Sequence, residues 1–331
     1  TGVQTCALPI LPRGPEPADR RDILVPVDGG QIVVRLYVPH GARPAPLHVF
    51  LHGGGWCVGT LDERDARCRA ISAGARCIVA SVDYRLAPEN AYPTPPEDCY
   101  AALCWLVEHA DELGVDPDRV GISGESAGAN LAAVVCLMAR DRSGPRIRHQ
   151  WLDVPAVDLT MSQPSVRSVP DGHLLDLDAI LEFREAYLGD LDRMTEPYAS
   201  PLFATDLQGL PPAWIMSCEY DKLRDDGIAY AAALKQAGVP VESQVLAGHV
   251  HPSFAFTRLI PSARTYEREA IAFTTDARAL WQEAPEDAHA AVGGIGRQFF
   301  TQPLGLFRID RRIAGVDDAV MDVLVVDVDR H

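Results

Sequence analysis

The sequence predicts an α/β protein built on a mostly parallel sheet, with helices on its faces. Short apolar runs alternate with helix-length segments along most of the chain, the order that makes βαβ units. At 331 residues, 47% apolar and 23% charged, the chain has the composition of a soluble globular protein and a size that open α/β sheets reach as one unit. No apolar run approaches the roughly eighteen residues of a membrane span.

The elements follow in order. Residues 21–27 and 31–38 read as a hairpin around Asp28, Gly29 and Gly30, a turn signal. Residues 47–51 and 77–82 are short apolar strands. Helical spacing of Cys99, Ala102, Leu103, Leu106 and Val107 predicts a helix over 96–113. A strand over 119–123 leads into a small-residue helix over 127–140. A strand over 213–218, a helix over 225–237, a strand over 241–246 and a last helix over 263–281 complete the alternation. Residues 157–212 break it, with several prolines, one helix-like segment at 176–188 and no strand. An insertion between strands is expected there, of the kind that covers a site.

The ends differ from this body. Residues 1–10, TGVQTCALPI, match the translation of a widely used sequencing adapter and are expected to be a scar, leaving 11–284 as the folded domain. Residues 285–331 form an extension with no assigned role. Its Gly294–Ile295–Gly296 lacks the third glycine of a dinucleotide fingerprint.

The formal charge of −16 disfavours nucleic acid and anionic membrane as partners. The eight cysteines form no Cys-x-x-Cys pair, so zinc and redox motifs are absent from the pattern. Buried free thiols in a reducing cytoplasm are the expectation, with a lost signal peptide as the alternative.

Two stretches carry chemistry. The 119–123 strand runs into Gly124-Glu125-Ser126-Ala127-Gly128 and then a helix, which is Gly-x-Ser-x-Gly in the strand–turn–helix setting that exposes a nucleophilic hydroxyl. The following helix points its positive end at the site. The 47–51 strand ends in His52-Gly53-Gly54-Gly55-Trp56. Acyl transfer builds charge on a carbonyl oxygen, and backbone N–H groups of Gly53, Gly54 and Ala127 are the expected oxyanion donors. His52 is expected to prop the glycine loop, because a catalytic base comes late in this chain order. Trp56, Phe183, Tyr187, Tyr198 and Phe203 are candidates for an acyl pocket, with core packing as the alternative for each.

Together with Asp83-Tyr-Arg-Leu-Ala-Pro-Glu89 and Tyr92-Pro93, these motifs make the chain resemble the hormone-sensitive-lipase family of α/β-hydrolases, over roughly residues 21–281. The resemblance implies the α/β-hydrolase fold, a cap formed in part by 157–212, hydrolysis of short- to medium-chain acyl esters of small molecules, no cofactor and a possible homodimer through the sheet edge. It departs at Glu125, where the family carries Asp or Thr, and in a short N-terminal stretch, which implies a truncated cap.

Matching the family motif to Ser217-Cys-Glu-Tyr-Asp-Lys-Leu-Arg-Asp-Asp-Gly227 makes Asp221 the catalytic acid, with Glu219, Asp225 and Asp226 as rivals. Asp225 and Asp226 sit where a helix starts, which favours capping. For the base, His249 and His251 both follow a strand and precede the last helix. The family's Gly-x-x-His, counted from Gly248, selects His251, although Pro252 replaces the usual glycine. A metal held by His249 and His251 lacks a third ligand. The rival readings are an amidase or small-molecule deacetylase, a non-catalytic ligand-binding relative resembling the plant gibberellin receptor, and an inactivated enzyme; the presence of His251 favours catalysis.

Overall fold

The computed structural model describes residues 14–41 and 43–279. The 1–10 segment and the 285–331 extension lie outside the described residues. Strands β1 (Asp19–Val27) and β2 (Gly30–Val38) form the expected hairpin. β3 (Ala45–Leu51), α1 (Asp65–Ala75), β4 (Ile78–Asp83), α2 (Thr94–Glu108), α3 (Ala110–Leu113), β5 (Val115–Glu125) and α4 (Ala127–Asp141) follow. β6 (Ile147–Asp153), α5 (Ser165–Ser168), α6 (Leu177–Leu188), β7 (Ala213–Tyr220), α7 (Arg224–Gln236), β8 (Val241–Val250) and α8 (Pro261–Ala279) complete the order. The eight strands form one sheet in the order β1-β2-β4-β3-β5-β6-β7-β8. β2 is antiparallel to both β1 and β4, and every other pair is parallel.

Two elements were not legible in the sequence pattern. α1, DARCRAISAGA, lacks a clean apolar stripe, yet Cys68, Ile71 and Ala75 are buried. β6, IRHQWLD, carries polar residues that are buried and paired; Gln150 donates its side-chain amide to Pro211 O at 2.9 Å. The predicted 96–113 helix is two helices, interrupted at His109, whose Nδ1 and backbone N–H both turn back to Trp105 O.

Helices α1 and α8 pack on one face of the sheet, and α2, α4 and α7 on the other. α4 is buried from Ala127 to Ala139, so its alanines let it lie close against the parallel strands. Gly128 shows how close: a Cβ there would fall on the carbonyl oxygens of Leu51 and His52. Gly128→Ala is therefore expected to destabilise the fold by at least about 1–3 kcal/mol, as overpacking against backbone does. Gly30→Ala, at an open turn position, is expected to leave the melting temperature unchanged. Thermal unfolding of the pair checks this.

Residues 157–212 hold α5, α6 and short 3-10 turns and add no strand to the sheet. One side chain holds the stretch at its start and again at Ala199: Asn130 of α4 donates its amide to Ala156 O and Ala199 O, at 2.8 Å each. Near the first end, Asp226 of α7 accepts the backbone N–H groups of Val157 and Asp158, at 2.9 Å each. Asp226 was expected to cap α7. Instead it is fully buried under the insert, and burial pushes its carboxyl well above the usual range. Asp225 lies in the first turn of α7 and pairs with Arg224, and neither aspartate caps the helix.

Candidate active site

Loops at the carboxyl ends of β3, β5, β7 and β8 converge, as open α/β sheets arrange their sites. Ser126 follows β5 with φ 56° and ψ −120°, a left-handed conformation that costs a non-glycine residue about 1–3 kcal/mol. The turn is held because the Ser126 N–H donates to Asp153 O at the end of β6, at 2.8 Å, while Ser126 O accepts the N–H groups of Ala129 and Asn130 in α4, at 3.0 Å each. The glycine loop after β3 lies directly against it: a Cβ on Gly53 would sit 3.4 Å from the Ser126 Cβ. Gly53, Gly54, Ser126, Ala127 and His251 all line one cavity of about 270 Å³.

Asp221 follows β7 and is buried. Its Oδ2 accepts from His251 Nδ1 at 2.8 Å, and its Oδ1 accepts the Leu223 N–H at 2.9 Å. Each carboxylate oxygen thus has its own donor, and the bond to Asp221 puts a ring proton on Nδ1 of His251. The rivals go elsewhere. Glu219 accepts the Gly248 N–H at 2.7 Å. His249 is held between the Ser253 and Ser262 hydroxyls at 2.9 and 2.8 Å, and burial lowers its basicity. Among the described residues, no three histidine, cysteine or carboxylate side chains cluster as metal ligands. His52 turns away from the cavity: Nδ1 donates to Gly53 O at 2.8 Å and the ring stacks on Tyr84 at 4.3 Å. Tyr84 OH also donates to His52 O, at 2.8 Å. Burial keeps the His52 ring below its usual basicity.

A second serine–histidine pair exists. His48 Nε2 and Ser123 Oγ are 2.7 Å apart, but both are buried within β3 and β5 and neither lines the cavity.

Glu125 sits beneath the turn. Burial opposes its charge, but Arg64 and Arg67 outweigh burial and hold its carboxyl below the usual range. Its Oε1 takes Arg64 Nε, and its Oε2 takes Arg67 Nη1 at 2.8 Å. Arg67 continues to Asp153, which also accepts from Trp151 Nε1 at 2.7 Å and from Tyr266 OH. The Arg67 guanidinium lies 5.1 and 5.2 Å from the ring centroids of Trp151 and Phe254. One buried network therefore joins the Ser126 turn, the end of β6, α8 and the loop after His251. The sequence shows Glu125 as an oddity; its partners, Arg67 on α1 and Arg64 just before it, carry no signal because that helix is not legible in the pattern.

The remaining cavity wall is mostly apolar, with Arg64, Glu125 and Arg184 as its charged members, and comes partly from the insert, through Met161, Leu174, Leu175, Ile180 and Phe183. Phe183 lies where a Cβ on Gly55 would go, so α6 packs on the glycine loop. Of the expected pocket aromatics, Trp56 and Phe183 line the cavity. Tyr187 is instead core, stacked on Trp56 at 4.3 Å; Tyr198 bonds Asp141, and Phe203 is exposed away from the cavity.

A family model described as the alpha/beta hydrolase fold matches residues 48–255. The chain belongs to the hormone-sensitive-lipase family of α/β-hydrolases. It is 41% identical to Esterase LipI of Mycobacterium tuberculosis over 259 residues, covering 76% of this chain and 81% of that one. It is 44% identical over 236 residues to Carboxylesterase NlhH of the same organism, covering 70% and 74%. The crystal structure of EstE1, a thermophilic carboxylesterase cloned from a metagenomic library, superposes with a TM-score of 0.77 at 40% identity, covering 80% of this chain and 90% of that one. The seven cysteines among the described residues of this family member are free thiols, and no described helix is long and apolar enough to cross a membrane.

Proposed function

We propose that the chain is a carboxylesterase that hydrolyses short- to medium-chain acyl esters of small molecules through an acyl-enzyme. The Ser126 Oγ bonds to the ester carbonyl carbon while its proton passes to Nε2 of His251. The carbonyl oxygen takes the charge and is held by the N–H groups of Gly53, Gly54 and Ala127. Collapse breaks the bond to the alcohol, which leaves with the proton from His251. Water repeats the sequence and releases the acid. Asp221 fixes the ring and steadies its cation, His52 braces the glycine loop, and residues 157–212 serve as the cap.

The observation that carries this reading is one largely apolar cavity bounded by both a serine on a strained strand–helix turn and a histidine bonded to a buried aspartate. A histidine oriented through Nδ1 by a buried aspartate is the arrangement a general base needs, so it also favours catalysis over the receptor-like reading.

The test is covalent labelling with diethyl p-nitrophenyl phosphate, alongside hydrolysis rates on p-nitrophenyl acetate, butyrate, octanoate and palmitate. The expected result is about one nitrophenolate released per chain, a phosphorylated peptide containing Ser126, and rates that fall off at palmitate. No hydrolysis by the folded chain, or an adduct on another residue, would overturn the reading.

A further inference from the structure

Asp221 has two neighbours in sequence, and both reach into the insert. Lys222 is buried, its side chain 5% exposed. A buried ammonium is costly unless every donor is used. Here Nζ meets Val169 O at 2.7 Å, Asp171 Oδ1 at 3.0 Å and Val166 O at 3.3 Å, which accounts for its three protons. Val166 O belongs to α5, and Val169 O and Asp171 lie in the segment that follows it. Tyr220, on the other side of Asp221, stacks its exposed ring on His173, at 5.4 Å between centroids and 8° between planes.

The segment so held, residues 169–176, is a turn of the insert that forms part of the cavity wall through Leu174 and Leu175. Its conformation is not one that leucine adopts freely. Leu174 has φ 71° and is 69% exposed, so the turn offers an apolar side chain at the cavity mouth at the expense of backbone strain. Internal bonds brace it: Asp176 accepts the Gly172 N–H at 2.6 Å, and Asp171 accepts the Leu177 N–H at 3.3 Å. The strain persists only while the surroundings hold the turn, and the strongest external holds are Lys222 and Tyr220.

We propose that Lys222 and Tyr220 latch the 169–176 turn over the cavity, and that this latch sets the length of ester the cavity takes. The inference rests on the carboxylesterase reading and adds the determinant of substrate size. Releasing the latch lets Leu174 and Leu175 swing outward. Asp221 keeps its own bonds to His251 and the Leu223 N–H, neither of which passes through the turn. Lys222 and Tyr220 are therefore positioning residues, acting through the wall on substrate binding and leaving the chemical step alone.

The experiment compares wild type with Lys222→Met, Asp171→Asn and Tyr220→Ala. The substrates are p-nitrophenyl acetate and octanoate, which lengthen the acyl side, and ethyl and hexyl acetate, which lengthen the alcohol side. The expected result is a higher KM for the short ester with its kcat unchanged, and a rise of about fivefold or more in kcat/KM for the long ester relative to the short one in at least one series. An unmoved ratio in both series, or a fall in kcat shared by all esters, would overturn the latch. Asp171 is 66% exposed, and its replacement by asparagine leaves the core untouched, so that variant decides the question should Lys222→Met fail to fold. A wild-type chain inactive on every ester would refute the carboxylesterase reading; an active one with unmoved ratios would refute the latch alone.

Discussion

Ser126→Ala is expected to lower kcat on p-nitrophenyl acetate by about 10⁶-fold and Asp221→Asn by about 10⁴-fold, in chains that stay folded at the assay temperature. The alanine deletes the oxygen that bonds to carbon, leaving only background hydrolysis assisted by the oxyanion donors. The asparagine acts through geometry. Asp221 accepts two hydrogen bonds, from the Leu223 N–H and from His251 Nδ1. An asparagine amide has one accepting oxygen. If that oxygen keeps Leu223, the NH₂ faces Nδ1 and turns the ring to the tautomer with its proton on Nε2, the atom that must receive the serine proton. If it keeps His251, the NH₂ opposes the Leu223 N–H and the loop shifts. Glu219→Gln, in contrast, keeps an acceptor for the Gly248 N–H and is expected to retain near wild-type kcat. Steady-state rates on the three variants check the assignment. Equal losses for Asp221→Asn and Glu219→Gln would remove Asp221 from its role.

Arg67→Met is expected to cost about 3–5 kcal/mol of stability, or roughly 10 °C in melting temperature. Arg67 lies between two buried carboxylates, with Glu125 3% exposed and Asp153 1% exposed. Methionine fills much of the space under Trp151 and Phe254 but leaves both acids short of a cation. The pH dependence gives a second check. In the wild type Glu125 is held below its ordinary value, so its contribution is present at neutral pH and lost as pH falls through its folded value. Burial raises Asp153, so its contribution runs the other way and is lost as pH rises through its folded value. Without Arg67 both carboxyls move up, Glu125 less because Arg64 stays on it, and the folded variant binds more protons than the folded wild type. The stability of the variant then falls relative to wild type as pH rises. The deficit against wild type should be larger at about pH 7.5 than at about pH 5.5, measured by denaturant unfolding. A deficit independent of pH would mean that Arg67 acts only through packing.

Much of this site was legible because its parts are local. A strand, a serine between glycines and a helix lie within one short stretch, and the glycine loop within another. The same locality explains the failures. The partners of Glu125 are Arg64 and Arg67, about sixty residues away, just before and on a helix whose apolar pattern is weak. β6 was missed because polar residues normally mark a strand as exposed, whereas here His149, Gln150 and Asp153 are buried and bonded. Asp226 was read as a helix cap from its position alone; its actual partners, the N–H groups of Val157 and Asp158, are far away in sequence. The choice of Asp221 and His251 came from the family motif, and physical spacing alone left the rivals standing until three-dimensional contacts sent each elsewhere.

The Asn130 amide, which holds the start of the insert and Ala199 further along it, has an evolutionary consequence. Ala156 and Ala199 are brought to a single donor group, so the segment between them departs from and returns to nearly one point on α4. A replacement of different length and sequence can be spliced between those two carbonyls without stretching β6 or β7 or disturbing the Ser126 turn. Natural recombination or laboratory shuffling can therefore exchange the recognition surface as a cassette while the hydrolytic machinery is inherited intact, with the asparagine as the seam.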